Sequence, residues 1–492
     1  LGKSETQNKD KTTRTFMSPV DEACFDQKTD QKTDQETDPT AVDRYTQPAD
    51  AVESAPDRWF QRLKFLGPGV IISASIVGSG EIILTASLGA AVGFSMLWWV
   101  LLSCWSKSIV QASLAKYIVL SGDTYLRALN RIPGKLPGPK GEVSWPVLVG
   151  LLAFIPGFTG LGGLIGGAGQ ALLLLFPGIP DLAAVAGLAV LIAILLRSGR
   201  YQHLEKIMLL LVFVFTLLTV TCLVLMQSTI YAVHWQDIRQ GLQFEFSYQY
   251  AVLALAAYGY TGVNSGEISS YTYWCIEKGY PGRIGRNDAS QQWLNRAKGW
   301  LTILHLDVWI TLALLTCATI PFYFLGAGIL HQLGKVPSGN QTIIILSQMF
   351  TETMGPWSLW IFAVGAFCIL FSSCVAGVAA GGRYVPDYLI ELGFLSRHRI
   401  DIRRSIIRYY GVTVPFIGLL LYAGFQQPVL MVSIAACFGA LMLPIQCGIT
   451  IYLQTTRLPE ALSPGRFTLA FLRLTFLFQV AMAGLVLYFV VF

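Results

Sequence analysis

The sequence is poor in charge. Asp, Glu, Lys and Arg together make up 13% of its 492 residues, where a soluble domain carries about 25%. Histidine is scarce at five, and the nine cysteines (24, 104, 222, 275, 317, 368, 374, 437 and 447) form no CxxC pair. Most of those cysteines lie inside apolar runs, where a thiol behaves as a small hydrophobe, so neither a disulfide framework nor a zinc site follows. A basic stripe interleaved with aromatics is missing outside the membrane-flanking loops, which argues against nucleic acid as a partner. No nucleotide loop, His-rich metal motif or serine–histidine arrangement stands out. The chain is therefore not expected to be an enzyme, and nothing in it asks for a cofactor. The start also lacks a basic stretch followed by an apolar core and cleavage site, so no signal peptide is expected.

Hydrophobicity is what remains. Hydrophobic residues make up 53% of the chain, and from Trp59 onward they gather into eleven segments, roughly 65–90, 93–118, 145–176, 182–197, 205–226, 250–275, 300–327, 356–381, 405–425, 428–454 and 467–491. About 20 apolar residues of helix cross the hydrocarbon core. The expected fold is an all-α polytopic membrane protein of about 11 transmembrane helices, filling residues 57–492. Residues 1–56 are different. They are polar, carry the array QKTD-QKTD-QETD at 27–38, and cannot bury enough apolar area to offset their ordering entropy. A disordered cytoplasmic tail is expected there.

Basic residues give the sidedness. With the N-terminus inside, the inner loops hold Arg58, Arg62 and Lys64, then Lys116 to Lys140, then Arg197, Arg200 and Lys206. Lys278 to Lys298, Arg383 to Arg408, and Arg457, Arg466 and Arg473 follow on the same side, while the outer loops keep Arg239 and Lys335. A missed span would swap the side of every later cluster. The pattern implies an integral protein of the plasma (inner) membrane, with a cytoplasmic N-terminus and a C-terminus on the outer side. Oligomeric state is not legible.

One string occurs twice. Val77-Gly78-Ser79-Gly80-Glu81-Ile82 lies in the first apolar segment, and Val263-Asn264-Ser265-Gly266-Glu267-Ile268 in the sixth. Glycines and serines beside a carboxylate interrupt helical hydrogen bonding at mid-membrane, where loose backbone is tolerated only against protein or a water-filled cavity. The sidedness makes the two segments antiparallel and five spans apart. That is the arrangement of a 5+5 inverted repeat with broken helices 1 and 6, here about 60–226 and 250–454, with an extra helix at 467–491. Paired interruptions of this kind point to the substrate site of a secondary transporter.

The chain resembles the Nramp metal-ion transporters, which have the LeuT-type fold of the APC superfamily. The likeness starts at Gly67-Pro68-Gly69 and runs without gaps to Gly89-Ala90, setting Gly78, Ser79, Gly80 and Glu81 against the family's Asp-Pro-Gly-Asn. Residues 371–416, with Gly393-Phe394, the Arg403-Arg404 to Arg408 cluster and Pro415, resemble its segments 8 and 9, and Leu443-Pro444 its segment 10. The departures are plain: of the first motif only the glycine is kept, the segment 6 Met-Pro-His is missing, the segment 10 glutamine reads Met442, and segment 3 has no acidic residue.

The resemblance implies a divalent cation as cargo, with proton coupling open. The residues present offer Gly78, Ser79, Gly80, Glu81, Val263, Asn264, Ser265, Gly266 and Glu267 as the substrate site, and Glu81 and Glu267 as the metal ligands. A carboxylate at mid-membrane costs a few kcal/mol, so it should face a cavity or a partner. Loss of the thioether favours hard oxygen ligation and an ion such as magnesium or manganese. The competing reading of each glutamate is satisfaction by local backbone donors or by Lys107, the lysine deep in segment 2. Lys107, Met442 and Gln446 are candidates for coupling or for the cavity wall. Asp307 and His305 read as inner-interface groups, and the run Gly157 to Gly169 as a helix-packing surface. A second function stays open, because Gly78-Ser79-Gly80 also resembles the helix-1 turn of amino-acid transporters, whose freed amides meet a substrate carboxylate. The cargo would then be an amino acid or other small organic solute. A membrane-embedded sensor or enzyme is a distant third.

Overall fold

The computed structural model describes residues 52–69, 80–198 and 201–491. The repeat-bearing tail before Val52, and Gly78 and Ser79, lie outside the described residues. Elsewhere helices fall on the expected apolar segments. A π-helical turn at Glu81–Thr85 runs into α1 (Ala86–Val92), and α2 (Leu97–Ser121), α3 (Gly157–Leu175), α4 (Asp181–Ser198) and α5 (Tyr201–Met226) follow. The sixth segment is two helices, α6 (Ala251–Tyr260) and α7 (Ser265–Glu277). Then come α8 (Gln291–Leu325), α9 (Ser358–Glu391), α10 (Ile400–Phe425), α11 (Pro428–Thr456) and α12 (Arg466–Val491). Among the described residues six helical stretches are long and apolar enough to cross a membrane: Trp145–Leu175, Gln291–Leu330, Ser358–Glu391, Ile400–Phe425, Pro428–Thr456 and Arg466–Phe489.

Packing gathers helices into two groups with α11 between them. α2 lies against α6, α7 and α8, while α3 lies against α4, α9 and α10, and α11 packs on α2, α3 and α6. Gly162, Gly163, Gly166 and Gly169 of α3 make that second group close-packed, as expected of the run, whereas Gly157 has open space beside it. A Cβ at Gly163 would stand 2.8 Å from the Pro428 carbonyl, and one at Gly166 only 2.1 Å from the Tyr422 ring. Small residues let helices approach where lipid supplies no hydrophobic drive. A further regularity concerns partners five segments apart: α2 packs on α8, α3 on α9 and α4 on α10.

Three features were not legible in the apolar pattern. A two-stranded antiparallel hairpin pairs Lys135–Gly138 with Gly141–Ser144, and a helix at Thr342–Met354 separates α8 from α9. Residues 52–56, assigned to the tail by composition, are tied to the helical body. Glu53 N–H donates to the Arg283 carbonyl at 2.9 Å, Trp300 Nε1 donates to the Glu53 carbonyl at 2.8 Å, and Arg62 Nε donates to the Pro56 carbonyl at 2.9 Å.

Candidate functional site

The sixth segment does come apart. α6 ends at Tyr260, Thr261 turns extended at φ −67°, ψ 136°, Gly262 takes φ +69°, and helix resumes at Ser265. The break thus spans 261–264, earlier than the expected Val263 to Gly266. Gly262 suits its place twice over, because its φ favours glycine and a Cβ there would meet the Cys104 Cα at 3.0 Å. Ser265, Gly266 and Glu267 are instead the first turn of α7.

Both new helix ends are satisfied by side chains. At the start of α7, Asn264 and Glu267 form a capping box: Glu267 N–H donates to Asn264 Oδ1 at 3.0 Å, and Asn264 N–H donates to Glu267 Oε2 at 2.9 Å. At the end of α6 the cap is a cation. Lys107 Nζ, fully buried, donates to the carbonyls of Tyr258 and Thr261 at 2.6 Å each and to Ser103 Oγ at 3.1 Å. A positive group at a helix C-terminus and a negative one at an N-terminus each complement the helix dipole.

Glu81 stands on the other side of the break. Its Oε1 accepts from Gly262 N–H at 3.4 Å and from Thr319 Oγ1 at 3.2 Å, and the side chain is fully buried. One turn on, the Thr85 and Thr261 hydroxyls bond at 2.7 Å. Glu81, Glu267 and Lys107 all interact electrostatically across the break. The structure therefore brings the two glutamates to one interruption, but with a lysine beside them and with local donors on both.

A cavity of about 270 Å³ opens on the α7 side. Asn264, Ser265, Gly266, Glu267, Met442 and Gln446 line it. Glu81, Gly80, Val263 and Lys107 do not. Glu267 is the one carboxylate among its described lining residues. Gln446 Nε2 donates to the Ser265 carbonyl and to Tyr125 Oη, both at 2.9 Å, while Gln446 Oε1 is buried with no hydrogen-bond partner. Met442, a candidate for the wall, brings a thioether to the lining.

Aromatic groups that the sequence did not single out complete the cavity. Tyr384 Oη donates to the Gly266 carbonyl at 2.8 Å and bonds Ser270 Oγ, and Tyr125, Tyr388, Tyr410 and Phe154 stand nearby in the wall. Trp274 lies on the lining too, under the Arg383 guanidinium at 4.1 Å. Arg383 in turn holds Glu277 in a two-pronged pair, 2.6 Å from Nε and 3.0 Å from Nη2. Tyr271 and Tyr273 are buried and donate to Asp307 at 2.8 Å and Asp387 at 2.7 Å.

Asp307 is not the solvated group that an inner-interface position suggested. It is buried and accepts from the N–H groups of Gly67 at 3.3 Å and Gly69 at 2.7 Å, so it caps the start of the first apolar segment. Its position inside an apolar helix was the available signal. Among the described residues no three His, Cys, Asp or Glu side chains gather as a metal cluster. A cation in the cavity would meet one carboxylate and several neutral oxygens.

Comparison with known proteins agrees with this architecture. The family model described as natural resistance-associated macrophage protein-like matches residues 69–491. The crystal structure of the manganese transporter of Eremococcus coleocola superposes with a TM-score of 0.61 at 15% identity, covering 89% of this chain and 88% of that one. MhsT in complex with L-phenylalanine gives 0.54 at 16% identity, covering 88% and 99%. Mhp1, a nucleobase-cation-symport-1 family transporter, gives 0.51 at 14%, covering 89% and 95%. At these identities the likeness shows the fold. No curated protein matches in sequence. The chain belongs to the natural resistance-associated macrophage protein-like family, Nramp, and is an integral membrane transporter of the divalent-metal class.

Proposed function

We propose that the cargo cation is held in the cavity beside α7, with Glu267 as its charged ligand and Asn264 Oδ1, the Ser265 hydroxyl and Gln446 Oε1 as neutral ones. One observation carries this reading: a broken helix opens on a cavity whose described lining holds a single carboxylate, Glu267, together with Gln446, whose Oε1 is buried without a hydrogen-bond partner. Hard oxygens suit magnesium or manganese, and Met442 tilts the balance toward manganese. A site of one carboxylate and neutral oxygens binds weakly enough to release its ion, which transport requires. Glu81, outside the cavity and bonded to the break, is the group placed to sense its state and to carry a coupling proton.

The packing of α2 on α8, α3 on α9 and α4 on α10 supports a 5+5 inverted repeat, with eleven spans, the N-terminus inside and the C-terminus outside. Alternating access then follows as rocking of the group around α2, α6, α7 and α8 against the group around α3, α4, α9 and α10. A small organic solute is the second reading, favoured by the aromatic wall and by a volume well above that of a bare ion.

Proteoliposome uptake separates the two. Manganese or magnesium uptake should fall at least about tenfold in Glu267→Gln, the loss of an ionic ligand worth more than 1.4 kcal/mol. A melting point raised by a neutral amino acid and indifferent to divalent ions would transfer the site to the organic solute.

A further inference from the structure

Lys107 is fully buried in α2, yet its ammonium rests on backbone carbonyls. The carbonyls of Tyr258 and Thr261 and the hydroxyl of Ser103 converge on it at 2.6, 2.6 and 3.1 Å. Tyr258 O and Thr261 O are acceptors freed where α6 stops, the negative pole of a half-helix. Such unwound carbonyls coordinate small cations in transporters with broken helices. Ser103 Oγ is also oriented by the same two carbonyls, at 3.0 Å from each, so the three oxygens form one rigid set. Glu81 and Glu267 add negative potential to it. Three neutral oxygens carry too little charge to strip a divalent ion of its water, but they suit a singly charged one.

We infer that Tyr258 O, Thr261 O and Ser103 Oγ form a monovalent-cation site that the chain fills with its own Lys107 ammonium, holding the break in helix six without a free co-ion. None of the three residues lines the cargo cavity. The inference therefore stands apart from the identity of the cargo.

Lys107→Ala tests it, because the truncated side chain opens the cradle. The purified variant should melt below the parent in choline chloride, and potassium or n-propylammonium at equal ionic strength should raise its midpoint by about 3 °C or more. The parent should respond to none of these salts. Lys107→Met, which keeps an apolar stem in place, should stay low in all of them. A Lys107→Ala protein indifferent to small cations, or a parent that gains as much as the variant, would overturn the assignment. Should Lys107→Ala not accumulate, the parent still decides: uptake equal in sodium, potassium and choline media agrees with a built-in cation, and a sodium or potassium requirement contradicts it.

Discussion

Asn264 and Glu267 show how much one residue pair can be asked to do. Each caps the other's backbone, and the same two side chains line the cavity. Removing the cap, by Asn264→Ala, should cost about 1 kcal/mol, read as a lower melting midpoint without cargo. Glu267→Gln keeps an oxygen for the Asn264 N–H and should melt close to the parent while uptake collapses. The sequence carried the signal for this cap, since N-x-x-E before a helix is a capping box. Matching the string to V-x-S-G-E-I around Glu81 hid it, because like letters occupy unlike places: Glu81 begins a π-helical turn, whereas Glu267 ends a cap. Lys107 was conspicuous as a lysine deep in an apolar segment. Its partners were not, for backbone carbonyls leave no trace in residue letters. Asp307→Ala should be the most damaging of these changes. It leaves the Gly67 and Gly69 N–H groups and the Tyr271 hydroxyl without their acceptor, at roughly 1–3 kcal/mol for each that stays buried and unpaired, and a lower yield of folded protein in detergent would show it.

Helix contacts explain where glycine is required and where it is incidental. A Cβ at Gly259 would lie 2.3 Å from the Ala436 carbonyl, so α6 and α11 touch backbone to backbone. Gly259→Val should destabilise by about 1–3 kcal/mol through overpacking, or shift the two helices apart. Gly187, exposed in mid-α4, faces open space. There Gly187→Ala should be neutral or should stabilise by about 0.5–1 kcal/mol, and thermal melts of the two variants make the comparison. Apolar length and basic loops sufficed to mark the helical segments. The position of the break did not follow from them, since Thr261 and Gly262 are ordinary letters until α2 places Cys104 and Lys107 against them. The cavity tyrosines were equally unreadable, because a lone aromatic in an apolar helix looks the same whether it faces lipid or a neighbour.

For the molecule as a whole, the two helix groups and the proposed sidedness make a claim about access. Ser228 follows α5 and Asp288 precedes α8, and both are exposed. With native cysteines replaced, Ser228→Cys should react with an impermeant maleimide on intact cells, and Asp288→Cys only after permeabilisation. The reverse pattern would invert the orientation. Strong reaction of both from outside would discard the span count. Glu53 and Pro56, bonded to Trp300 of α8 and to Arg62, belong to the same side as Asp288 in the proposed sidedness.

The π-helical turn at Glu81–Thr85 packs on α8, and α1 packs on a second such turn at Gly326–Leu330. A turn of this kind accommodates one surplus residue within an otherwise regular helix. Wherever a relative lacks that surplus, counting straight through from Gly67 to Ala90 pairs every later position with its neighbour's counterpart, and a side chain one letter off points about 100° away. Counterparts of the residues after Thr85 in other members should accordingly be chosen by the face on which they stand, with a one-residue gap allowed within 81–85.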